Sequence, residues 1–134
     1  KNITFIDDSK ATAFAASQLA LSSLKNIYWI LGGLPKKDDR FNLSKYKKNI
    51  VKCYIIGKNL GFFRNQIKDK LPFSITKNLS NSLIQIIKDI NYQKQANQTI
   101  LLSPAAASFD QFTNFEMRGK EFKRLCKTYA KKLI

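Results

Sequence analysis

Three segments hold the residues that could do chemistry. Asp7–Thr12, DDSKAT, crowds two carboxylates, two hydroxyls and the Lys10 ammonium into one short stretch. Gly32–Asp39, GGLPKKDD, sets Lys36 and Lys37 behind a glycine pair and Pro35. Ser103–Gln111, SPAAASFDQ, joins small uncharged residues to Ser108 and Phe109. Ammonium groups, hydroxyls and helix-end N–H groups are suited to holding carboxylates or phosphates. Each segment also has a plain structural account. Asp or Ser can cap a helix, a lysine turn can simply face water, and alanines can pack a tight strand-to-helix connection. Capping alone does not explain Lys10, because a cation in a first helical turn opposes the helix dipole. Ser108 and Gln111 have capping-box spacing, and Thr113 and Glu116 repeat it. The chain is therefore expected to make one short turn and then enter a long helix. The free start of that helix could receive an anion, with the alanines leaving room for it.

Several chemistries are excluded. The chain has no histidine, so no Ser-His or Cys-His nucleophile can form. Its two cysteines, Cys53 and Cys126, lie apart in apolar surroundings, which fits core filling rather than zinc binding. There is no GxxxxGK[ST] phosphate loop. No apolar run reaches the roughly 18–20 residues of a membrane helix.

These segments need elements to position them. ITFID (3–7), NIYWILGG (26–33), VKCYIIGKN (51–59), PFSIT (72–76) and TILLSP (99–104) read as strands. Helices are expected over 11–24, which is rich in alanine and leucine, and over 60–70. Another is expected over 79–90, where Leu79, Leu83, Ile86, Ile87 and Ile90 share one face. Phe115, Phe122, Leu125, Cys126 and Tyr129 mark one stripe of a C-terminal helix. Apolar strands alternating with helices predict an α/β, Rossmann-like, mostly parallel sheet with helices on both faces, in a single domain. Ligands of such sheets bind beyond the carboxyl ends of the strands. The loops DDSKAT, GGLPKKDD, GKN and SPAAASFD all follow strands, and so are expected to converge there.

The 134 residues suffice for one domain with a proper core. The chain opens directly on a strand-like segment, as expected of one domain of a longer protein. A net charge of +15 raises the alternative of a basic nucleic-acid-binding α/β module. Against it, 20 of the 24 cations are lysine and they are scattered, whereas base and bidentate phosphate readers lean on arginine.

IDDSKAT, ILGGLPKKDD and LLSPAAASFDQFTNFEMRGKEFKRL together resemble the C-terminal domain of the Mur ligases, in particular the branch that adds D-glutamate. The resemblance runs from Ile3 to about Lys127. It implies an absent N-terminal domain for the uridine nucleotide and an absent central ATPase domain over which this one closes. It implies ATP and Mg2+ as requirements, held mostly by the central domain. D-glutamate and UDP-N-acetylmuramoyl-L-alanine are the implied substrates. The implied setting is the cytoplasmic phase of peptidoglycan synthesis, with no nucleic acid and no membrane as partner. By family position, Lys10, Thr12 and Lys36 contact the substrate carboxylates. Ser108 and Phe115 grip the glutamate from the other loop, with Phe109 and Asn114 flanking. Asp8 reaches the ATP ribose. No catalytic residue and no metal ligand is implied within this domain alone, and because it lacks the ATP loop the isolated domain is expected to be inactive. The chain departs from the family pattern in three places. Ala13 replaces an asparagine, and Ala106 replaces a cysteine. The GGLPKKDD loop lacks the family's further glycine, which leaves Lys37 as an alternative to Lys36. Sister ligases carry a YAHNP-like segment where this chain has SKATA, or a DNPR motif that is missing here. Both absences favour D-glutamate.

Overall fold

The computed structural model describes residues 2–92, 97–108 and 111–131. Five strands form one parallel sheet: β1 (Asn2–Asp7), β2 (Ile27–Gly32), β3 (Ile50–Ile56), β4 (Phe73–Lys77) and β5 (Asn97–Leu102). Their order across the sheet is β1-β5-β2-β3-β4. Four helices cover it: α1 (Phe14–Ser23), α2 (Leu60–Ile67), α3 (Leu79–Tyr92) and α4 (Phe115–Ala130). The expected α/β, parallel, Rossmann-like architecture is thus present.

The two-residue strand period sorts the core. Trp29, Leu31, Cys53, Ile55 and Leu101 face α1 and α2 with Phe14, Leu21, Phe63 and Ile67. Tyr28, Ile30, Tyr54, Ile56, Ile100 and Leu102 face α3 and α4 with Leu83, Ile86, Ile90, Phe122 and Leu125. The central strand β2 is buried along its whole length, as a strand covered on both faces must be. Between β2 and β3 no α-helix forms. Phe41, Leu43 and Tyr46 of that connection take the helix's place in the first core cluster. The rings of Phe14 and Phe41 stack at 4.5 Å.

Helix α1 differs from expectation. It begins at Phe14 rather than Ala11, because Ala11 N donates to the Asp8 carbonyl in a tight turn before the helix. Lys10 therefore precedes the first helical turn and does not oppose the dipole of α1. Burial pushes both thiols up, Cys53 strongly and Cys126 to about 12 with Asp7 adding to it. Both cysteines are core-filling groups, as expected.

A polar cluster closes the α3 side. Asp89 accepts from Tyr54 Oη (2.7 Å), Lys52 Nζ (2.9 Å) and Gln85 Nε2 (3.1 Å). Burial acts to raise the Asp89 pKa, but the bonds from Tyr54, Lys52 and Gln85 outweigh it and hold the carboxyl below its usual range. Asp89→Ala should cost about 1–3 kcal/mol at neutral pH, the value of a charge-assisted buried bond. A carboxylate with a lowered folded pKa stabilises above its unfolded pKa of 3.8 and loses that contribution as the pH falls further. Urea titrations should therefore show the wild-type advantage at pH 7 and lose it progressively below about pH 4.

Candidate functional site

The carboxyl ends of all five strands lead into loops that are bonded to one another. Asp8 N donates to Leu102 O at 2.7 Å, tying the first loop to the end of β5. The Ser103 hydroxyl donates to Asp8 Oδ2 (2.7 Å) and lies 2.7 Å from the Ser17 hydroxyl. Trp29 Nε1 donates to Ser103 O at 2.7 Å. Gly32 N donates to Pro104 O, and Leu34 and Ala107 exchange two backbone bonds of 2.8 Å. Asn59 Nδ2, after β3, donates to Gly33 O (2.9 Å). Gly57 N and Gln111 Nε2 both donate to Lys77 O, at the end of β4. The four loops expected to converge do so, and the loop after β4 joins them.

Helix α4 is fastened beneath this edge. Arg118 is 1% exposed, and its Nη2 donates to Ser9 O at 2.8 Å. A β-carbon on Gly119 would stand 2.7 Å from Asp7 Oδ2 and 3.0 Å from Ser9 Oγ, so a larger residue there would displace the Asp7 and Ser9 side chains. Asp7 Oδ1 accepts from both the amide and the hydroxyl of Ser9. Neither Arg118 nor Gly119 was singled out from sequence. A signal was present: both lie on the apolar stripe of α4 with Phe122 and Leu125, where a solvated arginine does not belong.

The SPAAAS segment is explained by packing. Ala105 and Ala106 are fully buried against the core of the α1 face. Ala105 is held at φ 56, a left-handed conformation that costs an L-residue about 1–2 kcal/mol. Ala105 and Ala106 are small because core atoms surround them, not to leave an open space, whereas Ala107 is half-buried. Neither expected capping box forms. The Ser108 carbonyl, not its hydroxyl, accepts from Gln111 N and Phe112 N, and the Gln111 side chain turns to Lys77. The long helix is capped one residue later than Thr113, by Asn114, whose Oδ1 accepts from Met117 N at 2.9 Å.

The sequence-selected residues fall as follows. Lys10 and the 38%-exposed ring of Phe115 line one cleft of about 320 Å³, with Asp7, Ser9, Glu116, Gly119, Lys120 and Lys123. Asp8 and Lys10 line a second cleft on the α1 side. Thr12 and Lys36 are exposed on their loops, and Lys37 beside Lys36 is exposed too. Ser108 is buried. Asn114 is occupied as a helix cap. Phe109 lies outside the described residues. Exposed lysines 10, 36, 37, 77 and 120 ring this edge, while the carboxylates of Asp7 and Asp8 accept bonds from the protein itself. Exposed ammonium groups thus outnumber exposed carboxylates on this edge, where Asp38 and Glu116 are the exposed acids. Lysines also crowd the opposite end of the sheet, at 25, 45, 47 and 48, so the charge is not gathered into one nucleic-acid-binding face. Among the described residues no helix is long and apolar enough to cross a membrane. Nor do any three or more Asp, Glu or Cys among them gather as metal ligands.

The pairing of Leu34 with Ala107 depends on Gly33. Its φ is +132, and a β-carbon there would meet Ala107 O at 2.4 Å. Gly33→Ala should destabilise the domain by about 2–4 kcal/mol through strain and lost pairing. Hydrogen exchange should locate the lost protection at Leu34 and Ala107, with the amides of β3 and β4 opening only globally.

No family model matches the chain. Curated relatives do. It is 41% identical over 121 residues to the UDP-N-acetylmuramoylalanine–D-glutamate ligase of Agrobacterium fabrum, covering 90% of this chain and 26% of that protein. The corresponding ligases of Rhizobium johnstonii and Rhodopseudomonas palustris are each 40% identical, with the same coverage. The chain spans about a quarter of the length of these relatives. Over nine-tenths of its own length, this chain is thus similar to one segment of these UDP-N-acetylmuramoylalanine–D-glutamate ligases.

Proposed function

We propose that the chain is the C-terminal, amino-acid-binding domain of an ATP-dependent ligase that joins D-glutamate to UDP-N-acetylmuramoyl-L-alanine in the cytoplasmic stage of peptidoglycan synthesis. The observation that carries this reading is the 41% identity over nine-tenths of a chain whose strand-end loops form one lysine-ringed edge. In the proposed reaction the terminal carboxylate of the acceptor takes the γ-phosphoryl group of ATP, giving an acyl phosphate and ADP. The amine of D-glutamate attacks the acyl carbon, a tetrahedral intermediate forms, and phosphate leaves as the amide bond closes. When bound, Mg2+ neutralises phosphate charge; its ligands and the phosphate loop belong to a central domain over which this one closes.

This domain's part is positioning. D-glutamate carries two carboxylates, and its amine must be neutral and free. Lys10 and Lys36 supply cations from two different loops, and Thr12 a hydroxyl. Ser108 and Phe115, with Phe109 and Asn114 beside them, hold the other side. Asn114 acts through the cap that fixes the start of α4, and Ser108 through the turn that leads to it. Asp8 offers its carboxylate to the ATP ribose across the domain interface. Holding a nucleophile in line is where a domain without reacting groups contributes rate. Alone, the chain is expected neither to release phosphate from ATP nor to form the amide.

The test uses the complete ligase carrying this chain. Lys36→Ala should raise the KM for D-glutamate by roughly 10–100-fold, the value of a lost charged hydrogen bond, with the KM for ATP nearly unchanged. Lys37→Ala should change either KM less than threefold. An equal rise for both substrates rejects the assignment of Lys36. A complete enzyme that releases no phosphate in response to D-glutamate rejects the reading as a whole.

A further inference from the structure

Helix α1 lacks a cap of its own. Its N-cap residue, Ala13, has an extended backbone (φ −149, ψ 162) and no side-chain acceptor, and no acidic residue stands in the first turn. The first helical amide, Phe14 N, is nevertheless bonded: it donates to Asp39 Oδ2 at 3.0 Å, from a residue 25 positions away. The other carboxylate oxygen of Asp39 accepts from Arg40 N at 3.0 Å. Asp39 also acts through its backbone. Its amide donates to the Lys36 carbonyl at 3.0 Å, closing a turn in which Asp38 sits at φ 60.

The lysine loop is thus pinned in three places. Leu34 pairs with Ala107 at its start. Phe41, 2% exposed, stacks on Phe14 at its end, and its amide donates to Gln66 Oε1. Between these anchors only Asp39 connects the turn bearing Lys36 to the segment bearing Lys10 and Thr12, among the bonds the described residues show. We infer that Asp39 is a positioning residue: by capping α1 from the lysine loop, it sets the spacing between the Lys36 and Lys10 sides of the anion site, and so the length of dicarboxylate the site prefers. This rests on the proposed ligase reading for its substrate. The strap itself is a property of the fold.

The physical reason is that two cations on separate loops discriminate chain length only if the loops cannot drift apart. Lysine stems are flexible, so the backbone must supply the fixed distance. A carboxylate at a helix N-terminus is favoured both by the free N–H group and by the dipole. That makes it a strong tie for a loop with no secondary structure of its own.

The experiment has two arms. In the 134-residue chain, Asp39→Ala should accelerate hydrogen exchange at Phe14 N and at the amide of residue 39 by about tenfold or more, the effect of losing a cap. Ala13→Ser added to Asp39→Ala should protect Ala15 or Ala16, the amides within reach of an N-cap hydroxyl, and leave Phe14 exchanging fast. Unchanged exchange at Phe14 in Asp39→Ala overturns the strap, whatever the enzyme does.

In the complete ligase, Asp39→Ala should raise the KM for D-glutamate about tenfold, with kcat and the KM for ATP within about twofold, as expected of a misplaced binding group. Its preference for D-glutamate over D-aspartate should fall. Asp39→Asn, which keeps an oxygen acceptor, should retain most of both. Ala13→Ser added to Asp39→Ala should recover the melting temperature but not the KM or the preference. Recovery of the KM along with the melting temperature shows that Asp39 is a helix cap only, and overturns the inference. If the wild-type ligase ignores D-glutamate, the substrate reading fails and the exchange result alone decides the strap.

Discussion

A guanidinium with almost no access to water anchors helix α4 to the strand-end loops of this domain. Leaving such a charge buried without partners costs about 3–5 kcal/mol, so the groups around Arg118 must stay where they are. Its Nη2 holds the Ser9 carbonyl of the first loop. A β-carbon on Gly33, in the second loop, would stand 3.4 Å from its Nη1. The third loop passes the same place, since that β-carbon would also meet Ala106 and Ala107. Arginine suits this role because its planar fork presents several donors in fixed directions. Arg118 on α4 therefore ties down the first loop and lies beside the place where the second and third loops meet.

The loops have no regular structure, yet several of their residues are buried and their backbone groups must find partners. They find them in each other. The Leu34–Ala107 exchange and the bonds to Leu102, Pro104 and Lys77 carbonyls extend the logic of the sheet past its edge. Small residues follow from this. Ala105 and Ala106 pack into the core, and a larger side chain at either would have to displace it. The outcome is a rigid floor with long flexible side chains on it, chiefly lysines. Such a floor suits a domain whose proposed task is to hold a doubly charged amino acid for chemistry carried out largely by groups elsewhere.

Much of the fold was legible because burial repeats with the period of the backbone. Tyr28, Trp29, Ile30 and Leu31 could only be a strand covered on both faces. Leu79, Leu83, Ile86 and Ile90 could only be one face of a helix. Element ends were less legible. Helix α1 starts at Phe14 instead of Ala11 because a turn at Asp8–Ala11 and a carboxylate from Asp39 decide where its first amide is satisfied. Helix α4 starts at Phe115 because Asn114, not Thr113, meets the Met117 amide. Both boundaries hang on single hydrogen bonds that several nearby residues could have made equally well.

What the sequence determined alone was the layered α/β architecture, the convergence of the strand-end loops, the buried unreactive cysteines and the family resemblance. All of these rest on local periodicity, composition or contiguous motifs, which a linear chain displays directly. Only the tertiary structure decided which residues hold those loops together. Arg118, Gly119 and Asp39 act on groups up to 109 positions away, and a contact across that separation leaves no local pattern. Packing likewise settled the SPAAAS segment: whether an alanine makes room for a ligand or for the core depends on the atoms around it, and those come from other parts of the chain.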